Sequence, residues 1–442
     1  MRTTVMVGAA LAVATVVVYP QGAARAAGPL TVEDAVARAL RDNPRLNAAR
    51  RRLQSSDEAT ISAGRRMLPT VHVSDEFQRY DSPFAVSFAL PGAPPGGAFQ
   101  VRDQNTNTFT ASAMQPVLGL LHLNSDRTAL AEGRAAAEAA LAAAEDDLRE
   151  TIETEFLRTF EAQAMKRIAE TSAAELGDQV TVARARLTTG VITNADLLRL
   201  QVAVANARQQ ALQAEGQARA SKAVLFAAMG MRPDEGAAMT LVEPQGLLSA
   251  ARSAAPVTAD ALLPGAHDKR PEVRQQLHLV TSAAQDAQSR GYSLLPDVNL
   301  EAAYIIVNGQ QFAPHKSSFV GVKADWNIWE WGASEHARRA AKAQEAAARS
   351  DAESMDRQVE AEVVSAVADG DAARGAVQAA EEAITSAEEA YRVTEAQTKA
   401  GTATTTDLLE AQSALTQARL NLTRAEYELA LSHVRLARAT GG

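Results

Sequence analysis

The second half of the chain repeats the first, and this constrains the fold more than any other feature. Asn43-Pro44 corresponds to Arg270-Pro271 at an offset of 227 residues, and Gly64, Leu68-Pro69 and Val71 correspond at that offset to Gly291, Leu295-Pro296 and Val298. Further on the offset is 211: Gly190 matches Gly401, Asp196-Leu197-Leu198 matches Asp407-Leu408-Leu409, Gln201 matches Gln412, and Ala207-Arg208 matches Ala418-Arg419. The first copy therefore carries 16 extra residues between Val71 and Gly190. They fall between Asp81 and Asn105, where Leu90-Pro91-Gly92-Ala93-Pro94-Pro95-Gly96-Gly97 is loop chemistry; the counterpart from Asn308 to Ser317 is much shorter.

Each copy reads helix, strand, loop, strand, long helix, turn, helix. No proline occurs between Pro116 and Pro233 or after Pro314, and both spans are rich in the strong helix formers Ala, Glu, Gln, Arg and Leu. Leu141, Leu148, Ile152, Phe156 and Phe160 recur at steps of seven and four, a coiled-coil-like stripe. A helix from Ser125 to Thr188 would be roughly 95 Å long at about 1.5 Å per residue, too long for an ordinary globular domain.

The strands alternate. Val298, Leu300, Ala302, Tyr304 and Ile306 share one face; Val320, Val322, Ala324, Trp326 and Ile328 oppose Lys323, Asp325 and Asn327. Phe109, Ala111 and Ala113 oppose Thr106, Thr108, Thr110 and Ser112, whereas Val71, Val73 and Phe77 share their face with Asp75. Such segments suit a lipid-facing barrel with a wet lumen, and they also suit a half-buried sheet in a soluble protein. All three tryptophans, Trp326, Trp329 and Trp331, cluster where the last strand leaves for the helix. That is the place of an interfacial aromatic girdle, or of a plug packing strand onto helix. Four strands cannot close a barrel, since the smallest closed ones have about eight, and lipid does not tolerate open edges. A membrane reading therefore requires an oligomer.

The N-terminus reads as a secretory signal over residues 1–26: Arg2, an apolar core from Val5 to Tyr19, and the small-x-small site Ala24-Arg25-Ala26. About 15 apolar residues fall short of the roughly 20 a spanning helix needs. Cleavage there would take the net charge from −9 to −11, which argues against a nucleic-acid partner. The absence of cysteine excludes a thiolate metal site, a catalytic thiol and disulfides. The seven histidines are scattered without a metal-binding pair, and there is no phosphate-binding loop or nucleophile elbow, so neither an enzyme, a metal nor a cofactor is expected.

The expected fold class is α+β, mainly α. The first repeat covers 27–229, with strands at 70–80 and 106–114 around a loop at 81–105, then a long helical hairpin at 124–229. A linker follows at 230–256. The second repeat covers 257–442, with strands at 297–307 and 317–328 and a long helical hairpin at 334–440. The competing reading, a periplasmic coiled-coil adaptor or structural protein of an export complex, predicts one hairpin flanked by small β domains, which the duplication opposes.

The two hairpin turns, Arg186-Leu187-Thr188-Thr189-Gly190-Val191-Ile192-Thr193-Asn194-Ala195-Asp196-Leu197-Leu198 and Lys399-Ala400-Gly401-Thr402-Ala403-Thr404-Thr405-Thr406-Asp407-Leu408-Leu409, carry a family resemblance, as do the paired Leu-Pro steps. With them the chain resembles the TolC family of outer-membrane efflux proteins over essentially its whole mature length. The resemblance implies a homotrimer in outer-membrane lipid, each chain giving four strands to a twelve-stranded barrel that continues as a long periplasmic α-helical barrel. It also implies a periplasmic adaptor and an inner-membrane pump as partners, in an efflux or type I secretion system through which conduction is passive.

In that family the tips form the closed periplasmic entrance, lined by acids at the positions matching Asp407 and Glu410. These two lie three apart on one helix face, whereas the first-copy pair, Asp196 and Arg199, can neutralise each other. Clustered carboxylates would attract cations and have raised pKa values. Thr193-x-x-Asp196 and Thr404-x-x-Asp407 are also capping-box patterns, and the two roles can coexist. The adaptor-contact turns match Thr189, Gly190, Val191 and Ala400, Gly401, Thr402; each is also a plain glycine turn. Better-known members latch the tip with a Tyr and an Arg where this chain has Thr398 and Ala403, which predicts a less tightly latched tip.

Overall fold

The computed structural model describes residues 29–87, 98–236 and 239–442. The expected signal segment and the Pro/Gly run lie outside these residues. In chain order the helices are α1 (Val32–Asp42), α2 (Pro44–Arg65), α3 (Gly119–Thr188), α4 (Asn194–Ala228), α5 (Pro233–Gly236), α6 (Gln245–Ser253), α7 (Ala259–Lys269), α8 (Pro271–Tyr292), α9 (Ala333–Ala400) and α10 (Thr405–Ala439). The strands are β1 (Thr70–Arg79), β2 (Phe84–Val86), β3 (Phe99–Pro116), β4 (Asp297–Gln310) and β5 (Lys316–Asp325).

Helices α3 and α9, of 70 and 68 residues, are the spines, each roughly 100 Å long. The 35-residue helices α4 and α10 turn back along them, and the 22-residue helices α2 and α8 continue the same line towards the sheet. Each junction between the shorter helices is closed by a glycine. Gly230 has φ +78°, and a Cβ there would come 2.8 Å from Pro44 Cδ. Gly441, at φ +76°, stands at the same distance from Lys269 Cβ in the second copy. An L side chain would meet both the left-handed backbone and this contact, so the junction demands glycine twice.

The main core lies where the two hairpins meet at mid-height. Ile152, Phe156, Leu157 and Phe160 of α3 are buried against Val36 of α1, Phe226 of α4, Val377 of α9 and Leu431 of α10. These α3 residues include the last three of the predicted stripe, and Phe156 and Phe160 stack at 5.4 Å between ring centroids. The segment expected as a linker contributes to this core. Helix α6 buries Ala251 there, and Leu30 forms a parallel bridge with Leu241.

The long strands form one antiparallel sheet in the order β1-β3-β4-β5, with β2 paired to β3 off that path. Two sequence expectations are corrected. The loop over 81–105 contains β2, and β3 begins at Phe99, not Thr106. Pairing of Phe99–Arg102 to β2 starts the strand. The polar run Asp103-Gln104-Asn105 is carried on by β1, through the Arg79–Asn105 pair and the Tyr80 N–H donating to the Gln104 carbonyl at 2.8 Å, although its side chains do not alternate. The last strand ends at Asp325, not Ile328, because β4 runs out opposite it at Asp297. Residues beyond have no ladder partner among the described residues.

The register puts the four apolar sets on one side. Directly opposed residues share a face, so Val71, Ala113, Ala302 and Val320 form one row and Val73, Ala111 and Tyr304 the next. The other face carries His72, Glu76, Ser112, Thr110, Thr108, Glu301 and Lys323 in alternate rows. The apolar side is open: Val71 and Val320 are 77% and 76% exposed.

Candidate functional site: the hairpin tips and the sheet

Both tips use the same local chemistry. The Val191 N–H donates to the Arg186 carbonyl at 3.0 Å and the Gly190 N–H to Leu187 at 3.0 Å. In the second tip Thr402 donates to Gln397 at 2.9 Å and Gly401 to Thr398 at 3.2 Å. These paired bonds are the Schellman arrangement, which satisfies the orphan carbonyls at a helix end and places glycine in the left-handed region. The residues expected as adaptor contacts, Thr189, Gly190, Val191, Ala400, Gly401 and Thr402, are all exposed at these turns.

The returning helices open with capping boxes. The Asp196 N–H donates to Thr193 Oγ1 at 3.2 Å, and the Thr193 N–H donates to Asp196 Oδ2 at 3.1 Å. Asp407 and Thr404 repeat this at 3.2 and 2.8 Å. The Thr193 hydroxyl, then its main-chain N–H, holds the Asp196 carboxyl below its usual range. For Asp407 the main-chain N–H of Thr404 leads and the hydroxyl adds to it. Within one chain the shift thus runs downwards, opposite to the rise expected from clustered carboxylates, because hydrogen bonds stabilise the anion. Asp196 is also paired to Arg199 at 3.3 Å, while Glu410 is exposed one turn above Asp407.

At the other end, Trp326, Trp329 and Trp331 are 60%, 76% and 86% exposed. A plug between strand and helix would be buried, so that alternative does not describe them. Trp326 donates through Nε1 to the Leu294 carbonyl at 3.3 Å, and Trp329 and Trp331 meet edge to face at 5.7 Å. Trp331 sits at φ 57°, turning the chain from β5 into α9. Among the described residues no helix is long and apolar enough to cross a membrane, and no acid or histidine cluster suits a metal.

The sequence matches the family described as Outer membrane efflux protein over residues 35–231 and 262–442, one segment in each half. The chain belongs to that family. No curated protein matches the sequence. Among solved structures it is similar to the outer membrane protein VceC of Vibrio cholerae, with 19% identity, a TM-score of 0.78, and coverage of 93% of this chain and 96% of that one. The Campylobacter jejuni CmeC outer membrane channel gives 15% identity and 0.77, covering 93% and 85%. The Neisseria gonorrhoeae MtrE channel, in its open state, gives 17% and 0.73, covering 93% and 89%. Membership makes the chain an outer membrane efflux protein, not an enzyme.

Between the mid-height core and the tips, the two hairpins of this family member are joined by polar contacts that sequence reasoning missed. Ser172 meets Thr416 at 3.1 Å, Gln412 donates to Glu175 at 2.6 Å, and Arg419 pairs with the same Glu175 at 3.2 Å. Gln179 donates to the Tyr391 hydroxyl at 3.1 Å. At the tip, Arg186 donates through Nη1 to the Thr398 carbonyl at 2.9 Å and through Nη2 to the Lys399 carbonyl at 3.1 Å. The interior of the first hairpin is apolar by contrast: Leu176, Val180, Leu197, Leu200 and Val204 pack between α3 and α4. The repeat match of Gln201 with Gln412 hinted at the seam, since the second copy buries its glutamine to 1% exposure.

Proposed function

We propose that three copies of this chain close side by side into a twelve-stranded barrel in the outer membrane, continued by a periplasmic α-helical barrel. The observation that carries this reading is the sheet: its end strands β1 and β5 each have a free edge, and its apolar face is open. An exposed apolar face with unpaired backbone at both edges is costly for a separate sheet. A neighbour's β1 against β5 would satisfy the backbone, and lipid would cover the apolar face. The two repeats, 27–229 and 257–442, then supply two strands and one hairpin each.

In this reading conduction from periplasm to exterior is passive, and the energy comes from an inner-membrane pump reached through a periplasmic adaptor. Thr189, Gly190, Val191, Ala400, Gly401 and Thr402 meet the adaptor. Asp407 and Glu410, with the Arg199-paired Asp196 beside them, face the axis as the gate. Trp326, Trp329 and Trp331 sit at the periplasmic interface of the bilayer, and the loop 81–105 lies outside the cell.

The test is reconstitution of the purified protein in planar bilayers, with conductance and reversal potential measured in a salt gradient. Discrete, cation-preferring steps are expected, and their preference should fall in the Asp407→Ala/Glu410→Ala variant. A wild-type protein that inserts without forming pores overturns the channel reading; an unchanged preference overturns the gate assignment. Protease added to intact cells should cut within 81–105, and full protection there would reverse the proposed orientation.

A further inference from the structure

We infer that a groove just below the sheet, between α2 and α8, is a binding site for amphiphilic organic anions. Helices α2 and α8 form its walls and α3 its floor, around a space of about 590 Å³. The floor follows from spacing. Gly119, Leu123, Asp126, Leu130 and Gly133 recur at steps of four and three, so they share one side of α3. The last four line the groove. Gly119 shows which way that side points, because a Cβ there would lie 3.0 Å from Asp297 Oδ1. Asp297 stands two residues before Asn299, which opposes Lys323, and so belongs to the polar face of the sheet. The groove continues that face downwards, and in the channel reading it opens into the lumen. Its place in a lumen rests on that reading; its chemistry does not.

The lining combines an apolar floor with an unpaired cation. Ala63 of α2 and Leu123, Ala129 and Leu130 of α3 supply the apolar surface. At Gly133 the nearest atom to an added Cβ is Ser282 Oγ, 3.9 Å away, so the floor there is open. Both acids of the lining are already engaged. Asp126 accepts from the buried Ser289 hydroxyl and lies 3.3 Å from His122 Nε2, and Asp286 pairs with Arg290 at 3.7 Å. Arg66, on the wall opposite Arg290, has no acid partner among the described residues. Neither has Arg65 beside it, nor Arg127, whose Nε lies 3.6 Å from the place of a Cβ on Gly64. In a chain of net charge −9, this end of the groove is locally positive. A free guanidinium above an apolar floor suits a carboxylate, sulfonate or phosphate ester whose ring or alkyl body covers that floor. An organic cation finds no free acid there, and an inorganic anion leaves the floor uncovered. The cation belongs to the first repeat alone, since Ser293 stands 227 residues on from Arg66.

The test is titration calorimetry of the purified protein in lipid nanodiscs, with empty nanodiscs as the blank. The probes are naphthalenesulfonate, naphthylmethylammonium (similar in size, opposite in charge) and sulfate. Wild type should bind the sulfonate, and the other two about tenfold more weakly or less. Arg66→Ala should weaken the sulfonate about tenfold, and Arg66→Lys should recover part of that loss. Because Arg66 is exposed at the end of α2, Arg66→Ala should keep the wild-type Tm. Gly133→Leu keeps every charge but fills the floor, and should also weaken binding. Equal affinity in wild type and Arg66→Ala overturns the site, as does ammonium bound as tightly as sulfonate. Absence of saturable heat in the wild type overturns it too, read at two temperatures because the enthalpy can vanish at one. A protein that binds the sulfonate yet forms no pore in planar bilayers keeps the site and loses only the channel reading. One that forms pores without binding the sulfonate does the reverse.

Discussion

The side-chain amide of Asn43 donates to the main-chain carbonyl of Ala228 at 2.8 Å, joining the start of α2 to the end of α4 across 185 residues of sequence. The same side chain caps its own helix, with Oδ1 accepting from the Arg45 N–H at 2.8 Å. Gly230 lets the two backbones meet, and a Cβ there would also come 3.1 Å from Asn43 Cα. Gly230→Ala should therefore cost about 2 kcal/mol or more through the left-handed backbone and the clash. Asn43→Ala should cost about 1–2 kcal/mol through the lost cap and tether. Thermal unfolding followed by circular dichroism in detergent checks both, and equal Tm values for Gly230→Ala and wild type would remove the junction as a constraint.

That junction was half legible in the sequence. The pairing of Asn43-Pro44 with Arg270-Pro271 marked the equivalent places, and proline at the first helical turn is what starts α2 and α8. Helices and strand faces were readable because burial imposes period on side chains, as at Ile152, Phe156 and Phe160. Strand ends were not: Phe99 to Asn105 is held by backbone pairing, which leaves no mark on side-chain alternation. Arg186 was unreadable for a related reason. Attention to the side chains at 398 and 403 could not reveal a bond that ends on the carbonyl of Thr398, 212 residues away.

A buried ionic network near mid-height gives a second prediction. Arg438 pairs with Glu272 and, at 2.6 Å, with Asp147, and Arg270 pairs with Glu362 and with Glu272 at 3.3 Å. Removing one partner from a buried pair leaves the other charge poorly compensated. Glu272→Gln should cost about 2 kcal/mol, reduced from the fully buried case because Asp147 still faces Arg438. A double-mutant cycle with Arg438→Met measures the coupling, and additive effects would deny the pair any role.

Stability should also depend on pH in two opposed steps. Burial pushes Glu150, Glu153 and Glu161 of α3 above the usual carboxylate range. For acids raised in the folded state, a penalty is present at neutral pH and is relieved as pH falls through their folded values. Burial works on Glu272 in the same direction, but its bonds to Arg438 and Arg270 outweigh it and hold the group low. Glu362 is likewise lowered despite burial, by Arg270 and Gln358. That stabilisation is complete above the unfolded value and is lost as pH drops below it. Tm should therefore rise modestly from pH 7 towards about 5 and fall below about 4. A monotonic fall from pH 7 would show that the α3 carboxylates are not raised.

The capping boxes separate two roles that one residue can hold. Asp407 binds the Thr404 N–H, whereas Glu410 has no part in the cap. Asp407→Ala should lower both Tm and cation preference, while Glu410→Ala should lower the preference alone. Asp407→Asn keeps an acceptor for the N–H and should retain most of the Tm while losing the charge. Parallel melting and reversal-potential measurements on the three variants decide this. A lowered Tm in Glu410→Ala would place that side chain in the fold of the tip.

The two faces of the sheet should tolerate charge differently. Val320 lies in the apolar row with Ala302, Ala113 and Val71, and Thr110 lies in a polar row opposite Ser74. If the apolar row meets lipid, Val320→Arg exposes a guanidinium to hydrocarbon. Such a change costs about 2–4 kcal/mol at the bilayer midplane and much less near the interfaces. Thr110→Arg would instead project into a water-filled lumen, where it adds charge but little folding cost. Folding into vesicles, read as a heat-resistant oligomer on electrophoresis, should fall sharply for Val320→Arg and stay near wild type for Thr110→Arg. In bilayers Thr110→Arg should shift the reversal potential towards anions. The opposite ranking would turn the sheet inside out. Equal tolerance at both positions would mean that neither face meets lipid, and would return the sheet to water.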